Sequence, residues 1–219
     1  MENTKMKIVA FADVHDAFEK VTQVLRRETP FDVAVIAGDI TTAGSPADAE
    51  HAVTCWRPLA PQLFAVAGNM DSPQIDRTLD RLGVSLNACC RRVGEVAFFG
   101  CSAAPVSIGT PYEIPESELV ARAERGLARA DGAAQFVFVP HTPPFGVVDV
   151  LRSGVHVGSR LIAAFVERVQ PVLVLCGHIH EARGQQRIGK SLVINCGPAA
   201  HGHYAVIELS AGDCRAVLH

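Results

Sequence analysis

Seven residues of metal-binding type follow directly after five short apolar runs of this sequence. They are, in chain order, Asp13, His15, Asp39, Asn69, His141, His178 and His180. Short apolar runs bounded by turn residues predict buried β-strands. Binding sites of open α/β sheets form beyond the carboxyl ends of the strands, so we expect these side chains to meet at one edge of one sheet.

The spacing of these residues indicates how they approach a metal ion. Asp13 and His15 are two positions apart, as are His178 and His180. In an extended strand end both members of such a pair project to the same side, so each pair could hold one ion or reach two adjacent ions. Asp39 follows a glycine, which allows a sharp turn that exposes the next side chain.

The charges of this residue set favour two metal ions and a negatively charged substrate. Two divalent ions carry four positive charges, of which Asp13 and Asp39 neutralise two. A hydroxide and a phosphate ester would complete the balance. Metal ions about 3.5–4 Å apart can clamp the attacking and leaving oxygens of a displacement, and water bound to such an ion ionises near neutral pH. Nitrogen and oxygen ligands without thiolate suit Mn, Fe, Zn, Ni or Co.

The order D-x-H, G-D, G-N, a lone H and G-H-x-H resembles the calcineurin-like metallophosphoesterase superfamily, and the resemblance spans residues 8–209. It is similar in particular to small prokaryotic phosphoesterases that have GNMD in place of GNHD. The resemblance implies an α/β fold, a four-layer αββα sandwich of two packed mixed sheets flanked by helices. It also implies a metal-dependent phosphodiesterase that uses a hydroxide bound to a dinuclear metal centre.

The resemblance further implies a role for each ligand residue. The first metal would be held by Asp13, His15, Asp39 and His180, with Asp39 bridging to the second. The second would be completed by Asn69, His141 and His178.

One departure from the family pattern concerns proton transfer. Position 70 is Met, where many relatives have the histidine that protonates the leaving oxygen. Methionine has no proton to donate, so we expect aryl leaving groups to depart faster than alkoxides. His156, in the segment GVHVGS, is a candidate catalytic acid or phosphate contact. Asp71 and Arg183 are weaker candidates.

Two other functions remain open at this point. One is a phosphomonoesterase or nucleotide phosphatase, and the other is a non-catalytic scaffold with the same fold. The scaffold is disfavoured because such proteins tend to lose ligands, whereas this chain retains all seven. His201 and His203, in the segment HGH, imitate a ligand pair, but we interpret them as part of a surface loop.

Length and composition set broader limits. The 219 residues predict one domain, 1–219. The net charge of −3 argues against an extended nucleic-acid surface, so we expect a small phosphoester substrate. Seven cysteines without C-x-x-C spacing indicate reduced, mostly buried thiols in a cytoplasmic protein. We find no signal peptide and no membrane-spanning run, and expect no membrane partner. The sequence leaves a homo-oligomer open.

The hydrophobic pattern predicts alternating strands and helices followed by short strands alone. Predicted strands cover 7–12, 32–37, 62–67, 95–101, 135–139, 172–176, 184–188, 191–195, 204–209 and 214–218. Predicted helices cover 16–28, 47–57, 73–82, 117–130 and 160–169, with Ser117 and Ser159 as N-caps of the last two. The final short strands, with tight turns such as 210–213, predict antiparallel pairing in a second sheet packed on the first. The loops 102–116 and 142–158 are candidates for substrate specificity.

Overall fold

The computed structural model describes residues 5–211 and 213–219 of the chain. In chain order its strands are β1 (Met6–Phe11), β2 (Val33–Ala37), β3 (Gln62–Val66), β4 (Cys90–Val93), β5 (Val96–Cys101), β6 (Ala104–Pro105), β7 (Glu113–Ile114), β8 (Gln135–Pro140), β9 (Leu173–Cys176), β10 (Gly184–Ile188), β11 (Ser191–Asn195), β12 (Ala205–Ser210) and β13 (Asp213–Leu218). Its α-helices are α1 (Phe18–Glu28), α2 (Pro46–Trp56), α3 (Pro73–Arg81), α4 (Glu116–Leu127) and α5 (Arg160–Val169).

The larger strands form two mixed sheets. The first has the order β13-β12-β1-β2-β3, and the second has the order β10-β11-β9-β8-β5-β4. Strands β1, β2 and β3 are parallel to one another. So are β5, β8, β9 and β11 in the second sheet. Each sheet therefore presents several carboxyl strand ends at one edge.

The two sheets pack face to face, and this explains the continuous apolar runs of the sequence. In β1, Ile8 and Ala10 belong to the cluster between the sheets, whereas Val9 and Phe11 belong to the cluster under the helices. The rings of Phe64 in β3 and Phe98 in β5 meet across the inner layer with centroids 5.3 Å apart. Strands buried on both faces cannot alternate apolar and polar residues.

Helices cover the outer face of each sheet. Beside the first sheet, α1 and α2 are joined where the Trp56 indole donates to the Phe18 carbonyl at 3.3 Å. On the second sheet, the Phe165 ring of α5 lies 5.0 Å from Phe138 and 6.2 Å from Phe99. The predicted four-layer αββα sandwich is confirmed.

Two predictions of strand arrangement were wrong. The strands that precede the ligand residues do not belong to one sheet, since β1, β2 and β3 lie in the first sheet and β8 and β9 in the second. The final strands also divide, because β10 and β11 extend the second sheet while β12 and β13 extend the first. Their antiparallel pairing is confirmed. Gly212, in the predicted turn 210–213, lies outside the described residues.

Strand β4 was missed because its sequence is short and charged. Its residues Arg91 and Arg92 pair with β5 in antiparallel register. The Arg92 guanidinium donates to the carbonyls of Asp131 and Gly132. Charged side chains on an edge strand discourage pairing with other chains.

Two predictions made from composition concern the cysteines and membrane-spanning segments, and both can be compared with the described residues. All seven cysteines are free, and four of them are buried. Among the helices described, none combines the length and apolar character that crossing a bilayer requires.

One predicted helix cap is confirmed and the other is wrong. The Ser159 hydroxyl accepts from the Ile162 amide at 3.1 Å at the start of α5. Helix α4 begins earlier than predicted, with Pro115 at the N-cap position, so Ser117 lies inside its first turn. Proline fixes a backbone angle suited to helix entry without a side-chain cap.

We predict that Ser159→Ala lowers the free energy of unfolding by about 1–2 kcal/mol, because the Ile162 amide loses its partner in a buried setting. Ser117→Ala is the matched control and should change stability by less than about 0.5 kcal/mol. Urea unfolding of both variants measures the difference. Equal losses would show that the Ser159 bond does not stabilise α5.

Close packing at the shared edge of the sheets depends on two glycines. A Cβ added to Gly68 would lie 2.1 Å from Asp39 Oδ1, and one added to Gly177 would lie 2.4 Å from Asp13 Oδ2. Both distances are far inside van der Waals contact, so the backbone of each glycine must pass directly beside a carboxylate. Gly68 thereby lets the loops after β2 and β3 of the first sheet lie close together, and Gly177 lets the end of β9 in the second sheet approach the end of β1 in the first.

We predict that Gly177→Ala displaces the Asp13 carboxylate and removes most of the bound metal from protein purified with added manganese. Gly184→Ala is the control, because its added Cβ would meet nothing closer than 3.8 Å. Elemental analysis of both variants, with circular dichroism to confirm folding, makes the comparison. Full metal content in a folded Gly177→Ala variant would contradict the steric argument.

Candidate metal centre

The loops after β1 and β2 are held to each other by backbone hydrogen bonds. The Asp13 amide donates to the Gly38 carbonyl at 3.0 Å, and the His15 amide donates to the Asp39 carbonyl at 2.9 Å. Asp13, His15 and Asp39 all have positive φ, at 50°, 45° and 50°. The expectation that strand alternation aims Asp13 and His15 was therefore wrong. Tertiary hydrogen bonds hold them in a strained conformation, as is common at functional sites.

The first group of ligand atoms comes from Asp13, His15 and His180, all within 4.8 Å of one another. The Nε2 atoms of His15 and His180 face each other at 3.4 Å, and His180 Nε2 lies 3.5 Å from Asp13 Oδ1. On the far side of the ring, His15 Nδ1 is 3.0 Å from the Thr42 hydroxyl. Thr42 thus orients the imidazole so that Nε2 points inward.

The second group contains Asn69, His141 and His178. Asn69 Oδ1 lies 2.9 Å from His141 Nε2 and 2.8 Å from His178 Nδ1. His141 Nδ1 donates to the Ala37 carbonyl at 2.8 Å, which leaves Nε2 available as a ligand atom. His178 and His180 therefore reach different groups, one of the two arrangements that their spacing allowed.

Asp39 stands between the two groups. Its buried Oδ2 lies 3.5 Å from His141 Nε2 and 3.8 Å from His15 Nε2. Its Oδ1 accepts from the Met70 amide at 2.7 Å, which fixes the orientation of the carboxylate. The same Asp39 atom thus faces a histidine of each group.

The electrostatics of this site favour positive charge. Burial opposes protonation of His141, but the Asp39 and Asp13 carboxylates outweigh it and raise the His141 pKa to about 9. Burial would raise the Asp39 pKa, but His141 and the Met70 amide lower it. Burial together with His141 lowers the His178 pKa to about 4. A proton on His141 thus occupies the position that a cation would fill.

The donor atoms fit divalent metal ions. Two imidazole nitrogens facing each other at 3.4 Å need a proton or a cation between them. Oxygen and nitrogen atoms separated by 2.8–3.8 Å match the spacing of ligands that share a centre about 2.0–2.2 Å away. No cysteine belongs to either candidate group within residues 5–211 and 213–219, so the set suits metals that accept mixed nitrogen and oxygen ligands.

Asp71 is a scaffold for the site rather than an exposed acid. Its fully buried carboxylate accepts from the amides of Ile40, Thr41 and Gly68 at 3.0, 2.8 and 2.9 Å. Burial and the nearby Asp39 raise its pKa to about 6. It ties the loop after β2 to the loop after β3. Sequence reasoning had considered it only as a proton donor.

Loop 102–116 supports Asn69 from outside the ligand groups. The Tyr112 amide donates to the Asn69 carbonyl at 3.0 Å. The Tyr112 hydroxyl donates to Asp76 at 3.0 Å and accepts from the Arg122 guanidinium at 2.6 Å. No motif in the sequence signals this connection, because its members are separated by up to 53 positions, from Asn69 to Arg122.

His156 lies outside both ligand groups. Its Nδ1 is 2.5 Å from Asp149 Oδ1, and its side chain is 44% exposed. Asp149 is fully buried and also accepts from the Gly146 and Gly158 amides. The carboxylate thereby closes loop 142–158 around the histidine. Arg183, the other weak candidate, donates to the His219 carbonyl at 2.8 Å.

A family model described as "Metallophosphoesterase, calcineurin superfamily" matches residues 125–216. This range contains His141, His178 and His180. The other four candidate ligands precede this range, so they are supported by the order of the sequence motifs and by the fold instead.

Proteins related in sequence cover most of the chain. An uncharacterised protein of Methanocaldococcus jannaschii is 27% identical over 207 residues, which cover 91% of each chain. A protein of Synechococcus described as a probable cyclic nucleotide phosphodiesterase is 25% identical, over 86% of this chain and 72% of its own length.

Solved structures share the fold. A Thermus thermophilus protein superposes with a TM-score of 0.77 at 18% identity, over 98% of this chain and 99% of its own. A purple acid phosphatase from yellow lupin superposes with a TM-score of 0.64 at 10% identity, over all of this chain and 52% of its own. The family match over residues 125–216, the ordered ligand residues and this shared fold together support the resemblance of the chain to the calcineurin-like metallophosphoesterase superfamily, a group of metal-dependent phosphoester hydrolases.

Proposed function

We propose that this protein is a phosphodiesterase that hydrolyses a small phosphoester at a centre of two divalent metal ions. The observation that carries the proposal is the position of Asp39, whose buried Oδ2 faces His15 in one ligand group and His141 in the other. A carboxylate in that position suits a bridge between two ions. When bound, such ions activate water and neutralise the charge of the phosphate.

In this proposal each ligand residue except Asp39 would serve one ion. Asp13, His15, Asp39 and His180 would hold the first ion, and Asp39, Asn69, His141 and His178 would hold the second. The backbone and Thr42 aim these side chains, since the Ala37 carbonyl orients His141 and the Met70 amide orients Asp39.

His156 is our proposed proton donor for the leaving group. Met70 has no proton to give, whereas the His156 imidazole is held at Nδ1 by Asp149 and keeps Nε2 available. A carboxylate bonded to one ring nitrogen fixes the tautomer and the orientation of the ring. Loop 142–158 follows His141, and the Arg152 amide bonds to Glu181 beside His180, so the loop borders the centre.

Diesters are favoured over monoesters because a sequence relative is described as a probable cyclic nucleotide phosphodiesterase. Monoester hydrolysis and a non-catalytic scaffold are the other outcomes of the experiments below.

We predict that manganese-reconstituted protein hydrolyses bis(p-nitrophenyl) phosphate and that Asp39→Asn lowers kcat by more than about 100-fold with loss of bound metal. The amide removes the negative charge but keeps the shape of the side chain. Asp80→Asn, an exposed change on α3, is the control and should keep both activity and metal.

The result can separate the alternatives. Faster turnover of alkyl monoesters than of diesters would favour the monoesterase. No turnover with any tested metal would favour the scaffold.

We predict that His156→Gln slows hydrolysis of diesters with alkyl leaving groups by about 100-fold and changes p-nitrophenyl release by less than about threefold. The reason is that only a poor leaving group needs a proton as its bond breaks. A plot of log kcat against leaving-group pKa should become steeper in this variant, whereas Met70→Leu should keep the wild-type slope. An unchanged slope in His156→Gln would remove the histidine from the mechanism.

A further inference from the structure

The segment 196–203 adds another loop to the edge where the metal ligands gather. It follows β11, which runs parallel to β9, so both strands end at this edge. The Ala199 amide donates to the Ala12 carbonyl at 2.9 Å, and the Ala200 amide donates to the Asp13 carbonyl at 3.3 Å. The segment therefore crosses from the second sheet to the first directly against the loop that carries Asp13.

Basic side chains gather on this crossing. The rings of His201 and His203 lie with centroids 6.3 Å apart. Arg183 packs against Gly197, where an added Cβ would lie 2.6 Å from Arg183 Cδ. We call Arg183, His201 and His203 the basic cluster. Lys20 is beside it, because its ammonium donates to the Ala200 carbonyl.

The local charge in the basic cluster is positive. Burial lowers the pKa of His203, and electrostatic interaction with Arg183 and then with His201 lowers it further. A metal ion would meet the same repulsion, so this cluster does not suit a cation in spite of its H-x-H sequence. It suits an anion instead.

Two polar atoms of the basic cluster have no hydrogen-bond partner. Arg183 Nε and His203 Nδ1 are both shielded from solvent, and neither bonds to another described residue. Polar atoms in such positions are normally paired, and an unpaired one calls for an explanation. A guanidinium N–H beside an imidazole nitrogen is a suitable set of donors for a phosphate oxygen.

We propose that the basic cluster is an anion subsite that binds a second phosphate group of the substrate, next to the Asp13 side of the metal centre. The proposal rests on the proposed function and narrows its substrate class to phosphodiesters that carry a further phosphate. The scissile phosphate lies at the metal centre, and the second phosphate accepts hydrogen bonds from Arg183 and the histidines. Binding this group lowers KM for such substrates.

The kinetic test uses two substrates that differ by one phosphate. They are the p-nitrophenyl ester of thymidine 5′-phosphate with and without a 3′-phosphate. With wild-type holoenzyme we expect a lower KM for the phosphorylated substrate. His203→Gln should raise that KM about tenfold, the loss expected for a charge-assisted hydrogen bond, and leave the other KM unchanged.

Two further variants control this test. His201 is exposed, so His201→Gln should act in the same direction without affecting folding. His51→Gln, on α2, should change neither KM. Equal KM values for the two substrates in the wild type, or equal changes of both in His203→Gln, would overturn the subsite.

A binding measurement separates this proposal from the proposed function. In zinc-reconstituted protein, imidazole nitrogen NMR would follow His203 and His51 while inorganic phosphate is added. We expect the pKa of His203 to rise and that of His51 to stay constant. A response of His203 in protein without diesterase activity would keep the subsite and refute the function. Diesterase activity without any response of His203 would support the proposed function and refute the subsite.

Discussion

The site is built around a buried Asp39 carboxylate with a histidine from each sheet facing it. Isolated buried charge is costly, and removing the partner of a buried ion typically destabilises a protein by about 3–5 kcal/mol. His15 follows a strand of the first sheet and His141 follows a strand of the second, so the charge of Asp39 is balanced only when the two sheets are packed. Packing of the two sheets therefore both balances the charge of Asp39 and brings the two ligand groups together.

The surrounding structure explains how strained loops keep the ligands in place. Positive φ angles at Asp13, His15 and Asp39 are unfavourable for residues other than glycine. They persist because backbone bonds join the loops after β1 and β2 and because the Asp71 carboxylate ties the loop after β2 to the one after β3. Gly177, which follows β9 in the second sheet, allows that strand end to lie directly against the Asp13 carboxylate. Backbone contacts thus hold these candidate ligand residues in position.

Loop 142–158 and the segment 196–203 border this centre, and they give it surfaces of different chemistry. Loop 142–158 is organised by the buried Asp149 and offers the His156 imidazole. The segment 196–203 offers positive charge beside Asp13. A proton donor on one side and an anion contact on another would let one centre distinguish phosphodiesters by both leaving group and charge. This division of roles is consistent with scaffolds that vary their loops while the strands stay fixed.

The sequence alone predicted the candidate ligand residues and the strands that precede them, because a buried strand and its terminal ligand are neighbours in the chain. The four-layer fold was implied by the family resemblance that the ordered motif carries. Ser159 as a helix cap was also readable, since capping is local. Tertiary structure decided which sheet each strand joins, how Asp13 and His15 are aimed, and the scaffold role of Asp71. It also brought Arg183 beside His203. These features depend on contacts between residues far apart in the chain. Hydrophobic periodicity and motif spacing carry no information about such contacts.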